Sequence, residues 1–299
     1  MQFTKSPLSI ADQVDLLKDR GLTIDDEERA HHYLSYISFY RLRAYTYPFQ
    51  DNDDSDHPFT DDVSFNDILD YYIFDRRLRL IVFDAIERIE IAFRTQMINQ
   101  CALVHGSHWY ENSSFYRNRE HFENDLDAID DELERSAEVF IDHYNSKYDK
   151  PERPPAWMTL EIISLGTLSK LYHNLKLDKT KKTISGKFNL GHPFVLESWM
   201  HAISNVRNIC AHHSRLWNRK LVVAPKMPKF TSLPFINKKD IDVHKPYAIL
   251  CCMAYLMDVI NPGHHFKQRL FDLFEEFNQI ELKYMGFPKY WRNEALWQI

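Results

Sequence analysis

The chain has 299 residues, 44% of them hydrophobic, enough for one large or two ordinary domains with a proper core, and this excludes wholesale disorder. Glycine is scarce, at seven residues, while Phe, Tyr and Trp number 20, 16 and 6, a balance that suits helices better than a glycine-rich nucleotide fold. The formal charge of −6 argues, taken alone, against a nonspecific nucleic-acid coat protein.

In chain order, Ser9 followed by ADQVDLLKDR and Gly21 predicts a short capped helix with a glycine stop. A second helix is expected from near Thr23, its first turn carrying Asp25, Asp26, Glu27 and Glu28, and running on into the aromatic stretch that ends at Phe49. Pro48 and the polar, acidic Gln50 to Asp62 form a loop. From Phe65 to about Val104 there is neither Gly nor Pro. Ile68, Leu69, Tyr72, Ile73, Leu80, Phe83, Ile86, Ile89, Phe93 and Met97 recur there at helical steps, predicting a helix of about 60 Å ended by Gly106. Its other faces carry Asp75, Arg76, Arg79, Glu87, Glu90 and Arg94.

Further helices are expected over Glu120 to Tyr144 and, after the KPERPP break, over Trp157 to Leu175, where Gly166 is an internal weakness that permits close packing. A basic loop, Lys176 to Lys187, leads to Pro193. Phe194 to about Trp217 then predicts a long helix with a Leu196, Trp199, Met200, Ile203, Val206, Cys210 stripe. Pro225, Pro228 and Pro234 mark an extended region, followed by helices near Tyr247 to Ile260 and Phe266 to Leu282. Strand-like alternation is almost absent. The expectation is an all-α fold of seven or eight helices.

The longest near-apolar stretch, Tyr247 to Met257, has 11 residues against the roughly 20 of a membrane-spanning helix. The charged run Asp12 to Asp19 interrupts any signal-peptide apolar region. Cys101, Cys210, Cys251 and Cys252 show no CxxC spacing, so neither a disulfide framework nor a cysteine zinc site is expected. A cytoplasmic protein with no membrane partner is the expectation.

The charges are unevenly spread. Ile162 to Lys239 holds 14 basic residues and two acidic ones, Asp178 and Glu197, a net of +12 inside an acidic chain. Ser198 to Lys239 has no carboxylate and eight cations. Such a segment can hold a phosphate backbone locally, or it can pair with the acidic remainder within a monomer or across a dimer. Near its centre lies Arg207-Asn208-Ile209-Cys210-Ala211-His212-His213. A guanidinium binds phosphate oxygens in a fork and stabilises charge on a pentacoordinate phosphorus. An imidazole can move a proton to or from the 2′-hydroxyl or the leaving oxygen. Arg207 and His212 stand about 140° apart on an ideal helix, so one helix does not aim both at one atom, whereas two copies related by a two-fold axis can share a cleft.

RNICAH, Arg207 to His212, resembles the R-x4–6-H signature of HEPN-superfamily ribonucleases, with Asn208 as the polar residue after the Arg. The wider chain resembles the Abi-like (AbiD/AbiF-type) abortive-infection family. The resemblance rests on PLSIADQVDLLKDRGL (Pro7 to Leu22), HYLSYISFYRLRAYTYPF (His32 to Phe49), FDRRLRLIVFDAIERIEIAFRTQ (Phe74 to Gln96), PPAWMTLEIISLGTLSKLY (Pro154 to Tyr172) and LESWMHAISNVRNICAHHSRLWNR (Leu196 to Arg219), roughly residues 5–225. It implies a HEPN-type helical core with a long insertion over 63–225, preceded by an N-terminal helical extension over 1–62. Residues 226–299 lie outside the resemblance and are expected to form a C-terminal helical cap. The resemblance also implies a phage-defence factor, a homodimer with a composite, metal-independent RNase site and no cofactor. On that resemblance Arg207 positions phosphate, His212 is the acid–base group, Asn208 orients or contacts RNA, and the product ends in a 2′,3′-cyclic phosphate. Glu87 or Glu90 resembles the acidic residue that many HEPN folds place near the motif. His213 also satisfies R-x5-H, and the family pattern favours His212 over it.

Arg215, Arg219 and Lys220, with Lys181 and Lys182 in the basic loop, are expected to track RNA phosphates rather than catalyse. Tyr36, Phe39, Tyr40, Tyr45 and Tyr47 could stack on bases, although packing in an aromatic-rich core accounts for them more simply. His105 and His108 lack a third ligand for a metal, and a turn or helix stop explains them. The rival to the nuclease is a non-catalytic RNA-binding protein, held in complex with a small structured RNA.

Overall fold

The computed structural model describes residues 2, 6–60, 62–176, 179–239 and 241–298. Among these, twelve α-helices and six short 3-10 turns make up the regular structure, and no strand longer than an isolated bridge occurs: the fold is all-α. The helices are α1 (Ile10–Asp19), α2 (Glu27–Tyr36), α3 (Phe39–Thr46), α4 (Phe65–His105), α5 (Arg119–Arg135), α6 (Val139–Lys147), α7 (Ala156–Ile162), α8 (Leu165–Asn174), α9 (Lys179–Lys187), α10 (Pro193–Ala211), α11 (Pro246–Ile260) and α12 (Phe266–Glu276).

The number exceeds the expected seven or eight because three predicted runs break and one predicted loop coils. The second helix starts at Glu27 rather than near Thr23, since the Asp26 carboxylate accepts the Arg29 amide and caps it there. The aromatic stretch is then two helices: Ile37 is extended, and Ser38 accepts the Arg41 amide to cap α3. The same Ile–Ser device splits Trp157 to Leu175, with Ile163 extended and Ser164 capping α8 through the Thr167 amide. Gly166 therefore lies in the first turn of α8, and a Cβ there would sit in ordinary contact 3.6 Å from Ser204 Oγ of α10, so the packing does not depend on its small size. Extended residues at Ser136 and Glu138 separate α5 from α6. The stretch read as a basic loop contains α9, whose buried face is Thr180, Lys181, Ile184 and Ser185. Helix α10 stops at Ala211 rather than Trp217, and α12 at Glu276 rather than Leu282.

The chain divides into two compact units. The first comprises residues 1–78 and 273–280. Its α1 is closed by a Ser9–Asp12 capping box at the start and by Gly21, at φ +94°, at the end. Phe74 of α4 packs between Phe274 and Phe277, with ring centroids 6.1 and 5.8 Å away. Tyr45 is buried and its hydroxyl donates to buried Asp75 at 2.6 Å, so Asp75 belongs to the interior. Packing thus accounts for Tyr45 and not for Tyr36, Tyr40 and Tyr47, which are exposed.

The second unit comprises residues 79–272 and 281–299. Its centre is α11, buried on all sides from Pro246 to Met257, as its uninterrupted apolar sequence requires. Cys251 and Cys252 lie there as free thiols, and burial pushes both upward in pKa. Helix α10 packs between α8, α9 and α11 and buries twelve of its nineteen residues. On α4, Arg79 and Arg94 are buried, whereas Leu80 and Phe83, read into the apolar stripe, are exposed; Ile81, Val82 and Ala85 take the inward positions.

Lys181 corrects the sequence expectation that it meets RNA. Its side chain is fully buried, its ammonium lies 2.8 Å from Glu197 Oε1, and it donates to the carbonyls of His173 and Leu175 at 3.2 and 3.0 Å. The helical turn of α9 carries Lys181 to the inner face and leaves Lys182 exposed. Because removing one partner strands a buried charge, Lys181→Met is expected to cost about 3–5 kcal/mol. Lys182→Met should stay within about 0.5 kcal/mol of wild type; urea unfolding of both variants checks the contrast.

Asp125 of α5 is buried, and its Oδ2 has no hydrogen-bond partner among the described residues. Burial holds its carboxyl up at about 6, against an ordinary value of 3.8. Below the ordinary value both folded and unfolded chains carry the proton. Between it and about 6 only the folded chain does, so this group's contribution to stability falls as pH rises through that window. Asp125→Asn is expected to remove this fall and to raise stability at pH 7 by about 1–3 kcal/mol. Urea curves of wild type and variant at half-unit steps from pH 4 to pH 7 give the difference directly.

Candidate functional site

Of the site residues expected from the sequence, Arg207, Asn208, His212 and His213 lie where α10 ends. Arg207 and Asn208 lie in the last two turns, and His212 is the C-cap at φ −85°, ψ 10°. His213 follows in the left-handed region at φ +56°. Its amide donates to Cys210 O at 3.0 Å and the Ser214 amide to Ile209 O at 2.9 Å. That pair of bonds is the turn that normally places glycine at the left-handed residue. The same pair closes α1 around Gly21 and α9 around Asn189, at φ +53°. At α10 the position falls to a histidine, which leaves the turn strained by about 1 kcal/mol relative to glycine. The chain therefore leaves the helix at Ala211, and His212 and His213 do not stand on one continuous helical face.

Arg79 braces this turn. The guanidinium Nη1 of this buried α4 residue donates to His213 O at 2.7 Å and to Ser214 O at 3.0 Å. Two charge-assisted bonds thereby meet carbonyls at the electronegative end of α10. Downstream, Leu216, Trp217 and Leu221 are buried, and Lys245 Nζ donates to Asn218 Oδ1 at 3.2 Å, with Asn218 itself left-handed at φ +49°. Sequence periodicity does not single Arg79 out. Its sequence signal is an arginine at a core-facing step of α4, and its partners are backbone carbonyls that no side-chain pattern reveals.

On this braced end the functional groups are open. Asn208, His212 and His213 are exposed and Arg207 is half-buried. Arg207 Nη1 stands 3.5 Å from Asn208 Oδ1 and makes no ion pair among the described residues. Arg219 is half-buried and donates to Arg215 O at 3.1 Å; Lys220 is exposed. The Arg215 guanidinium lies 5.9 Å from the Trp217 ring centre. Among the described residues, Arg207, Arg219 and Lys220 have no carboxylate partner, so internal pairing does not account for these cations. Glu90 is engaged with Arg94 of its own helix at 2.7 Å, and Arg94 also donates to Ile163 O beyond α7 at 2.9 Å. Glu87 is exposed.

His105 Nε2 lies 3.0 Å from Thr180 Oγ1, and His108 bonds through both ring nitrogens, to Ser107 Oγ and Arg153 O. Both act as local structural contacts near the end of α4. Among the described residues, no group of three or more His, Cys, Asp or Glu could hold a metal ion. No described helix is long and apolar enough to cross a membrane.

The described residues form an all-α protein in which half-buried Arg207 and exposed Asn208 and His212 lie at the end of a largely buried helix, inside a cationic segment. The Abi-like protein family model matches residues 32–218, and the chain belongs to that family. Membership suggests abortive infection, a defence against phage. No curated protein and no solved structure matches the chain.

Two substitutions separate brace from strain. Arg79→Met leaves the two carbonyls without their charged donor and is expected to lower stability by about 2–3 kcal/mol. His213→Gly relieves the left-handed residue and is expected to raise stability by about 0.5–1 kcal/mol. Thermal unfolding should show opposite shifts in Tm.

Proposed function

We propose that this chain is a phage-defence endoribonuclease with a HEPN-type composite site shared by two copies, acting in the cytoplasm. The observation that carries the reading is that half-buried Arg207, with no ion pair among the described residues, and exposed His212 lie at the braced end of α10, inside a stretch of 42 residues without a carboxylate. Leu80, Phe83 and Ile91 supply an exposed apolar face on α4 for a second copy, which supports the dimer.

Arg207 binds the non-bridging oxygens of the scissile phosphate and stabilises the charge that builds on them. His212 takes the proton of the ribose 2′-hydroxyl. The 2′-oxygen then forms a bond to phosphorus as the bond from phosphorus to the 5′-oxygen breaks. The leaving 5′-oxygen takes a proton from the imidazolium contributed by the second copy. The products are a 2′,3′-cyclic phosphate and a 5′-hydroxyl, and the substrate is RNA because DNA lacks the nucleophile. Asn208 contacts the RNA beside Arg207, exposed Glu87 is the acidic group free to orient the site, and Arg215, Arg219, Lys220 and Lys182 follow the phosphates. Arg79 is a positioning residue, holding the turn on which His212 sits. His213 serves the turn rather than proton transfer.

The test uses purified wild type, Arg207→Ala, His212→Ala and His213→Gly with labelled single-stranded, structured and transfer RNAs in excess EDTA. Wild type and His213→Gly are expected to cleave, leaving cyclic phosphate ends. The two alanine variants should lose at least about 100-fold in rate while staying folded. Unchanged cleavage by both would overturn the assignment. Tight binding without cleavage by wild type would instead favour an RNA-binding protein that holds a small structured RNA.

A further inference from the structure

Residues 222–239 lie beyond the family match and contain no helix, yet they are firmly held against α10. The Lys226 amide donates to Ser198 Oγ at 2.8 Å, and Trp199 Nε1 donates to Lys226 O at 2.8 Å. Further along, Phe235 stacks on Trp199 at 6.0 Å, Ile236 is buried, and the Asn237 amide donates to Glu294 Oε2 at 2.7 Å. Lys238 turns its ammonium inward onto the carbonyls of Pro228 and Lys229, at 2.6 and 2.9 Å, and so shapes the loop between them. Both ends of the segment and the bend within it are therefore defined by specific bonds.

What this ordered segment shows to solvent is not explained by packing. Phe230 is 88% exposed, at the tip of the braced loop, with exposed Lys229 beside it. Phe194, in the first turn of α10, is also exposed, and the Lys226 ammonium lies 5.0 Å from its ring centre. Lys226, Lys229 and Lys239 are exposed, and no carboxylate occurs from Ser198 to Lys239. Exposed aromatic faces alternating with unneutralised cations suit unpaired nucleotides, whose bases stack while their phosphates pair with lysine. A duplex offers no free base faces, and a purely electrostatic contact has no use for an exposed phenylalanine.

We propose that Phe194, Lys226, Lys229 and Phe230 form a binding track for single-stranded RNA that feeds the site at the other end of α10. The inference rests on RNA being the substrate and adds where, and in which form, it is held. Phe194 and Arg207 are thirteen residues apart on the helix, about 20 Å along its axis and about 140° around it, so an RNA that meets both crosses the helix and the track engages nucleotides several positions away from the scissile bond. It therefore sets affinity for long unpaired substrates and leaves the bond-breaking step untouched.

The experiment measures binding of fluorescent polyuridylate and of a blunt RNA duplex, both 2′-O-methylated so that no nucleophile is present for cleavage, by anisotropy at several salt concentrations. It uses full-length wild type, Phe230→Ala, Lys226→Ala/Lys229→Ala and, as a comparison at the catalytic end, Arg219→Ala. Thermal unfolding verifies each fold, and the exposed positions make a loss of folding unexpected. Phe230→Ala is expected to weaken polyuridylate about five- to hundredfold and to leave the duplex unchanged. The double lysine variant should lower the slope of log affinity against log salt by about 0.7 for each phosphate that a lysine no longer neutralises. Cleavage of a dinucleotide should be unchanged in both variants. Unaltered polyuridylate affinity and salt slope, with Arg219→Ala still weakening binding, would overturn the track and leave the RNA reading standing. If wild type binds neither RNA, the functional reading fails with it. A change in self-association rather than in RNA binding would make this surface a contact between copies and would also overturn the track.

Discussion

The Arg79 guanidinium, held against the carbonyls of His213 and Ser214, is the contact on which the arrangement around the site depends. A helix ends with carbonyls that have no partner within it, and a buried helix end needs donors from elsewhere. Glycine often eases such an ending by adopting the left-handed conformation, but this chain has seven glycines in 299 residues. At α10 the turn is made by a histidine instead: the His213 and Ser214 amides meet the last helical carbonyls, and a buried arginine binds the two carbonyls that follow. Further along α4, Arg94 likewise donates to Ile163 O at the end of α7. A single long helix thus closes two shorter ones, and these two arginines, fifteen residues apart, lie about 22 Å from each other along its axis.

That device separates burial from exposure within a few residues. Val206, Ile209 and Cys210 are in the core while Asn208, His212 and His213 face solvent. Burial of α10 against α8, α9 and α11 holds the platform in place. The two carboxylates of the basic region behave differently from a neutralising background. Glu197 is drawn inside by Lys181, whose charge is thereby removed from the surface. Asp178 lies outside the described residues. Arg207, Arg219 and Lys220 stay outside with no carboxylate partner among the described residues.

Much of the fold was legible because its signals are local. The capping box at Ser9, the stop at Gly21, the absence of Gly and Pro through α4 and the proline starts of α10 and α11 each act within a turn or two of chain. The breaks at Ile37–Ser38 and Ile163–Ser164 were hidden because apolar periodicity continues across them. A serine is compatible with a helix interior until its hydroxyl finds the amide three residues on. The basic stretch before Pro193 read as a loop because lysines dominate it, yet Ile184 and the buried Lys181 give α9 an inner face. The aromatic tail after α2 shows the converse: composition suggests core, but Tyr36, Tyr40 and Tyr47 stay outside.

The sequence by itself determined the helical class, the position of the long helix, the clustering of positive charge and the Arg–Asn–His spacing, since all of these are properties of neighbouring residues. Only the tertiary structure decided that α10 stops before His212, that Lys181 is inside and Lys182 outside, and that Arg79 holds the site. The last two depend on partners outside the local turn: a carboxylate sixteen residues on for Lys181 and a carbonyl 134 residues away for Arg79. Hydrogen bonds and burial are satisfied in space, so periodicity could propose the faces of these helices but could not say which charged group each face would enclose.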